Sequence, residues 1–193
     1  MNNTEHTLLC IMAESSAGKD FLTNQLCSRE GYRQLISYTT RPRRQGEGET
    51  HIFVTEDEYV QMLEEDQVAA HTIINGYHYW CTIDQLTSVD IYIIDPIGVK
   101  TLKELNIPSL RLVTIYINVP EDIRRERAKK RGDNMDIYRS RSVSERDQFR
   151  NMKKNMDVDY VVSNIDFPKA YMILKRIATV EGLWKNHTED KTE

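Results

Sequence analysis

Short apolar runs alternate with stretches of helical spacing along this chain. Residues 8–12, Leu-Leu-Cys-Ile-Met, are apolar without a break, the pattern of a strand buried on both faces. A helix is predicted over 18–29, with Leu22 and Leu26 on its inner face. Leu35 and Ile36 end a short strand, and 52–54 form another. Thr55 then caps a helix whose first turn carries Glu56, Asp57 and Glu58. Residues 67–74 and 78–82 flank Asn75-Gly76, a turn pair that specifies a hairpin. The β-rich runs 90–94 and 110–119 suit buried central strands. Pro120 opens a helix at its first turn, 160–162 close the sheet, and Ala170, Ile173, Leu174, Ile177 and Trp184 give a last helix one apolar face. Strands alternating with helices predict an α/β fold, a five-stranded parallel sheet with crossover helices on both faces.

Composition narrows the picture. At 193 residues the chain is one domain able to bury a sizeable core. A formal charge of -4 argues against nonspecific duplex binding, so no nucleic-acid partner is expected. Three cysteines without metal-ligand spacing fit a reduced, cytoplasmic protein, with Cys10 a small core residue. No apolar stretch reaches the length of a membrane span and residues 1–6 are polar, so neither secretion nor a membrane partner is expected. Residues 187–193 read as a polar tail.

Candidate chemistry begins directly after the first strand. Residues 13–20 read A-E-S-S-A-G-K-D, close to the phosphate-binding pattern G-x-x-x-x-G-K-[ST]. Ala13 stands for the first glycine and Asp20 for the hydroxyl residue. Small residues let successive backbone N–H groups turn inward as an anion nest, and the following helix adds its positive N-terminal end. Ala13, Ser15, Ser16, Ala17, Gly18, Lys19 and Asp20 are therefore the candidate donor-nucleotide loop. Lys19 reaches the outer phosphates. Asp20 offers Mg²⁺ a hard carboxylate oxygen in place of a hydroxyl. The plain alternative is a strand, a turn and a helix that begins with Lys.

A second candidate anion site follows. Three arginines, Arg41, Arg43 and Arg44, lie within four residues of S-Y-T-T-R-P-R-R-Q-G-E (37–47), beside a proline that fixes the local backbone. Arg suits bidentate contact with phosphate. Such a cluster in an acidic chain, beside a donor loop, implies a donor phosphate and an acceptor phosphate.

This second segment, followed by H-I-F-V-T-E-D-E-Y, resembles the GMP-binding segment of guanylate kinases, S-x-T-T-R-x-x-R-x-G-E. The stretches 76–82, 93–98 and 159–164 fit the same family in order, so the resemblance spans roughly 8–177. It implies a P-loop NTPase-type parallel sheet, an acceptor-binding insertion and a lid. It also implies Mg²⁺ as cofactor, with ATP and a nucleoside monophosphate as substrates. By resemblance Ser37, Arg41, Arg44, His51, Tyr79, Cys81 and Asp95 bind the acceptor. Asn164 either touches adenine or is a turn asparagine. Asp95 either binds Mg²⁺ or acceptor or caps a helix.

The chain also departs from that family. His51 stands where the family has a phosphate-touching tyrosine. Ala69 or Ala70 stands where a glutamate reads guanine. Cys81 or Thr82 takes the place of a hydroxyl residue, and Ile93 that of the first aspartate of D-x-D. Phosphate handling is kept and base reading is changed, so weaker preference for GMP, or another base, is expected. Tyr79 and Trp80 are either base-stacking or core, and His71 and His78 are assigned no catalysis.

Between 124 and 146 lies a basic region. Arg124, Arg125 and Lys129 read as helix surface, whereas Arg131 and Arg141 resemble the family's lid arginines, with Arg139 a rival for Arg141. A closing lid supplies charge to the transferring phosphoryl group and excludes water. The expected division is core 7–34, 84–127 and 145–184, acceptor insertion 35–83, and lid 128–144, in a monomer or homodimer. The expected reaction is guanylate kinase chemistry, ATP with GMP or dGMP, with Lys19, Arg131 and Arg141 catalytic. One alternative is a kinase of the same kind for another or modified nucleotide. The other is a non-catalytic guanylate-kinase-like binding module.

Overall fold

The structure, a computed structural model, describes residues 6–44, 47–155 and 157–183. Gln45 and Gly46 of the arginine segment, Trp184 and the polar tail 187–193 lie outside the described residues. In chain order the elements are β1 (His6–Met12), α1 (Lys19–Glu30), β2 (Tyr38–Thr39), β3 (Ile52–Phe53), α2 (Glu56–Glu64), β4 (Ala69–Ile74), β5 (Tyr77–Cys81) and α3 (Ile83–Ser88). There follow β6 (Ile91–Ile93), α4 (Pro96–Glu104), β7 (Leu110–Asn118), α5 (Glu121–Arg131), α6 (Met135–Asn155), β8 (Tyr160–Ser163) and α7 (Phe167–Val180).

The core sheet runs β6-β1-β7-β8 with every pair parallel. Its central strand explains its own sequence. Leu9 and Ile11 enter one apolar cluster with Leu22 and Leu26 of α1 and Leu174 of α7. Leu8, Cys10 and Met12 enter a second cluster with Leu86, Leu102 and Phe149 on the other face. An unbroken apolar run is what a strand covered on both faces requires. The fifth strand expected at Leu35 and Ile36 is reduced to a single parallel bridge, Gln34 to Ile91. Leu35 is buried instead in the second cluster.

A second, mixed sheet runs β3-β2-β5-β4. The β4–β5 hairpin turns at Asn75 (φ 52°) and Gly76 (φ 81°), the two left-handed positions that a two-residue turn needs. Thr55 and Glu58 form a reciprocal capping box at the start of α2. Pro120 sits one position earlier than expected, as the N-cap of α5. Ile173 is more exposed than the apolar face of α7 suggested, while Ala170, Leu174, Ile177 and Ala178 carry the packing.

From β1 the chain visits β6 on one side and β7 on the other. The crevice at the carboxyl end of β1 is thus a switch point, where ligands of parallel sheets bind. The phosphate-type loop lies there.

Candidate active site

The loop between β1 and α1 is held open by its carbonyls. Asn164 Nδ2 and Arg127 Nη1 donate to the Ala17 carbonyl at 2.8 and 3.3 Å. Arg124 Nη1 donates to the Ser15 carbonyl at 3.3 Å. The buried Glu14 carboxylate accepts from the Tyr116 hydroxyl at 2.6 Å and Lys153 at 2.7 Å. With these groups tied outward, Ser16 (φ 63°) and Gly18 (φ 85°) take left-handed conformations, which form an anion nest. Gly18 is required here: a Cβ would lie 2.8 Å from Asn164 Nδ2.

Over this loop lies a cavity of about 570 Å³, lined by Ser15, Ser16, Gly18, Lys19, Asp20, Phe21, Arg44, Arg131, Tyr138 and Arg141 among others. Arg131 donates to the Ser16 hydroxyl at 3.2 Å and is oriented by Asp133 at 2.5 and 2.8 Å. That pair holds the Asp133 carboxyl below its ordinary range. Arg141 lines the cavity, whereas Arg139 is exposed and paired with Asp136. The Asp20 carboxylate is 72% exposed and accepts from Lys19 at 3.1 Å. Among the described residues no group of three or more His, Cys, Asp or Glu could hold a metal. The exposed Asp20 carboxylate fits Mg²⁺, which binds through one or two carboxylates together with substrate phosphates and water.

A second cavity, about 310 Å³, opens between the β4–β5 hairpin, the end of β6 and one face of α6. Ser37, His51, Ala70, Thr72, Tyr79, Asp95 and Gln148 line it, as does Lys19. A neighbouring cavity of about 460 Å³ holds Arg41, Arg44 and Tyr79. It shares Ser15, Lys19, Arg44 and Arg141 with the 570 Å³ cavity over the phosphate loop. Lys19 lines all three.

The two arginines of the T-T-R-x-x-R segment are not equivalent. Arg41 is buried and grips both oxygens of Glu47, at 2.7 and 3.0 Å, while its Nε donates to the Tyr79 hydroxyl at 3.1 Å. These Arg41 bonds, more than any other cause, lower the Glu47 carboxyl to about 2. Arg44 lines both the donor-side and acceptor-side cavities, and its pKa is lowered by burial and then by Arg141 and Arg41. Such a crowd of cations is a site made for anionic oxygens. His51 is lowered to about 4 by burial and then by Arg41, so its imidazole is neutral near pH 7.

Several sequence expectations find different surroundings. Cys81 does not line the acceptor cavities. It is fully buried beside Cys10, Ala69 and Tyr92, its Sγ 3.6 Å from the Ala69 carbonyl, and burial raises the thiol to about 12. Cys81 lies one pleat deeper than Tyr79 on the same strand, where the core closes over it. Ala13 lines the acceptor side and not the donor side, and Ala17 is fully buried. Asn164 is also buried and braces the loop through Ala17. Trp80 is core, stacked on Tyr38. Arg124, read as surface, is buried because Val119, Ser15 and Glu14 surround it. Asp95 caps α4 through the Ile97 and Gly98 N–H groups and accepts from Thr72 at 3.1 Å; it lines the acceptor cavity while Asp20 lines the donor cavity.

Sequence reasoning missed Arg127, Glu145 and Gln148. Arg127 was lost within a run of like charges. Glu145 accepts from the Ser15 backbone N–H, and Gln148 lines the acceptor cavity. Their three-residue spacing, which sets both on one face of α6, was the available signal.

Comparisons with known proteins give the family and the fold. The family model described as guanylate kinase matches residues 5–181. The guanylate kinase of Coxiella burnetii is 30% identical over 95% of this chain and 92% of its own. That of Escherichia coli K12 is 30% identical over 92% and 89%. A crystal structure of guanylate kinase from Anaplasma phagocytophilum superimposes with a TM-score of 0.65 over 94% of this chain and 89% of its own, at 18% identity, a likeness of fold. With a family match over nearly the whole chain, laid on a parallel sheet with a phosphate-type loop at its switch point, the chain belongs to the guanylate kinase family.

Proposed function

We propose that this protein transfers the γ-phosphoryl group of Mg·ATP to the phosphate of a nucleoside monophosphate, with GMP or dGMP as the acceptor. The observation that carries the reading is the sharing of Ser15, Lys19, Arg44 and Arg141 by the donor-side and acceptor-side cavities. Phosphoryl transfer needs a donor and an acceptor in line across one cluster of positive charge.

In this reading the inward N–H groups of the loop at 13–20 and the N-terminus of α1 hold the donor phosphates. Lys19 and Arg141 neutralise the equatorial oxygens of the group in flight, with Arg131 drawn onto the donor through Ser16. Arg44 takes the acceptor phosphate. Arg41, Tyr79 and Glu47 set the shape of the loop from which Arg44 projects. The acceptor oxygen is itself the nucleophile, so no side chain need form a covalent bond. Asp20 would hold Mg²⁺, which would supply neutralising charge to the donor phosphates. Residues 35–83 serve as the acceptor-binding insertion and 128–144 as the lid.

A coupled ADP-release assay across the common ribo- and deoxyribonucleoside monophosphates tests the reading. Turnover with GMP or dGMP is expected; ATP hydrolysis alone, unaffected by any monophosphate, overturns it.

A further inference from the structure

The acceptor cavity lacks a carboxylate where a purine edge would be read from β4: Ala70 stands on the hairpin wall and Ile93 at the end of β6. Thr72, Asp95 and Tyr79 on that side already hold hydrogen bonds. Thr72 donates to Asp95, and Asp95 Oδ1 accepts from two backbone N–H groups of α4. Tyr79 accepts from Arg41. On the opposite wall the situation is reversed. The side-chain oxygen of Gln148, on α6, is buried without a hydrogen-bond partner. Among the described residues that line the acceptor cavity, Gln148 alone carries a side-chain atom in that condition. A buried carbonyl oxygen without a donor is costly, and native structures keep few of them without a purpose.

We propose that Gln148 is a specificity-determining residue of the acceptor site, its side-chain oxygen accepting an N–H from the Watson–Crick edge of the base. The inference rests on the kinase reading above and deepens it, because it moves base recognition from the hairpin to α6. Three features favour this assignment. The oxygen is an acceptor, which matches the ring N–H of guanine. Phe149 follows Gln148 on the same cavity wall, so the amide is fixed from a packed helix and not from a loop. Gln148 is three residues beyond Glu145, which is fastened to the phosphate loop, so α6 reaches both the donor loop and the acceptor cavity. A neutral amide presents one acceptor where a carboxylate presents two. It therefore discriminates among bases less sharply than a carboxylate would.

The test is steady-state kinetics of the full chain with ATP against GMP, inosine monophosphate and AMP, for wild type, Gln148→Leu and Gln148→Glu. Q148L is expected to lower kcat/KM for GMP about ten- to a hundredfold through KM, to leave KM for ATP unchanged, and to level the three acceptors. Q148E, which keeps an acceptor in place, is expected to retain GMP and to widen its margin over AMP. Thermal melting checks folding; loss of an orphaned oxygen should not lower Tm of Q148L. Acceptor ratios within twofold of wild type in both variants would overturn the assignment. A wild type that phosphorylates no monophosphate would overturn the kinase reading itself, and the two failures are distinct.

Discussion

Glu145 and Ser15 are joined twice: one carboxylate oxygen accepts the Ser15 backbone N–H at 2.8 Å, and the other accepts the Ser15 hydroxyl at 2.7 Å. An anionic group from α6 thus engages the anion nest of the phosphate loop. A phosphate seated on the same N–H meets this carboxylate and must displace it. The loop and the helix are in this way coupled through this pair of charge-assisted hydrogen bonds.

Removing that competitor should favour the donor nucleotide. Glu145→Ala is expected to raise ATP affinity roughly tenfold, since a charge-assisted hydrogen bond contributes about 1.5–3 kcal/mol. α6 remains docked through Lys153 and Glu14. Isothermal titration with a non-hydrolysable ATP analogue checks this; equal or weaker affinity in the variant would show that the carboxylate does not compete.

Lys19 lies where the cavities meet, with its side chain a quarter exposed. It carries little packing, so Lys19→Ala should fold as the wild type does and lose turnover by 10²-fold or more, about 3 kcal/mol of transition-state stabilisation. Single-turnover rates at saturating substrate, beside a melting curve, measure both. Activity within tenfold of wild type is incompatible with Lys19 acting on the transferred group.

The two arginines should separate. Arg44→Ala is expected to raise KM for the acceptor by ten- to a hundredfold, about 1.5–3 kcal/mol, with KM for ATP changed far less. Arg41→Ala leaves Glu47 without the bidentate partner that depresses its pKa. It should therefore cost stability as well, on the order of 3 kcal/mol. Chemical denaturation of both variants decides: equal stability would place Arg41 on the acceptor alone.

Much of this architecture was legible where one local rule acted alone. The run at 8–12, the Asn75-Gly76 turn, the Thr55 cap and the loop around Gly18 each follow from the chain within a few residues. The misses arose from tertiary contacts. Cys81 and Tyr79 share a strand face, yet Tyr92 and Cys10 cover the first and a cavity opens before the second. At β4 the pairing slips between Ala69 and Thr72, with Ala70 at φ 48°, which changes the register that period-two reading assumes. Arg124 reads as surface in a basic helix, and only the approach of Glu14 and Ser15 buries it. Gln148 carries no sequence signal beyond its spacing from Glu145, because an orphaned oxygen is a property of the packed cavity.

The last prediction concerns acid. His51 is depressed from 6.5 to about 4, by burial first and Arg41 second. Below the unfolded value the unfolded chain takes up a proton that the folded imidazole refuses. The stability so contributed is complete above pH 6.5 and is lost as pH falls toward 4. Glu47, depressed from 4.5 to about 2, has the same sign but acts in a lower window, between those two values. The two contributions therefore separate on the pH axis. His51→Gln removes the first and leaves the second, so the variant should lose less stability than wild type between about pH 7 and pH 4.5, and about the same below pH 4. Denaturant midpoints across that range measure the difference. Parallel curves from pH 7 to 4.5 would mean that the folded protein protonates His51 as readily as the unfolded chain does, and that the imidazole is not held neutral in the acceptor cavity.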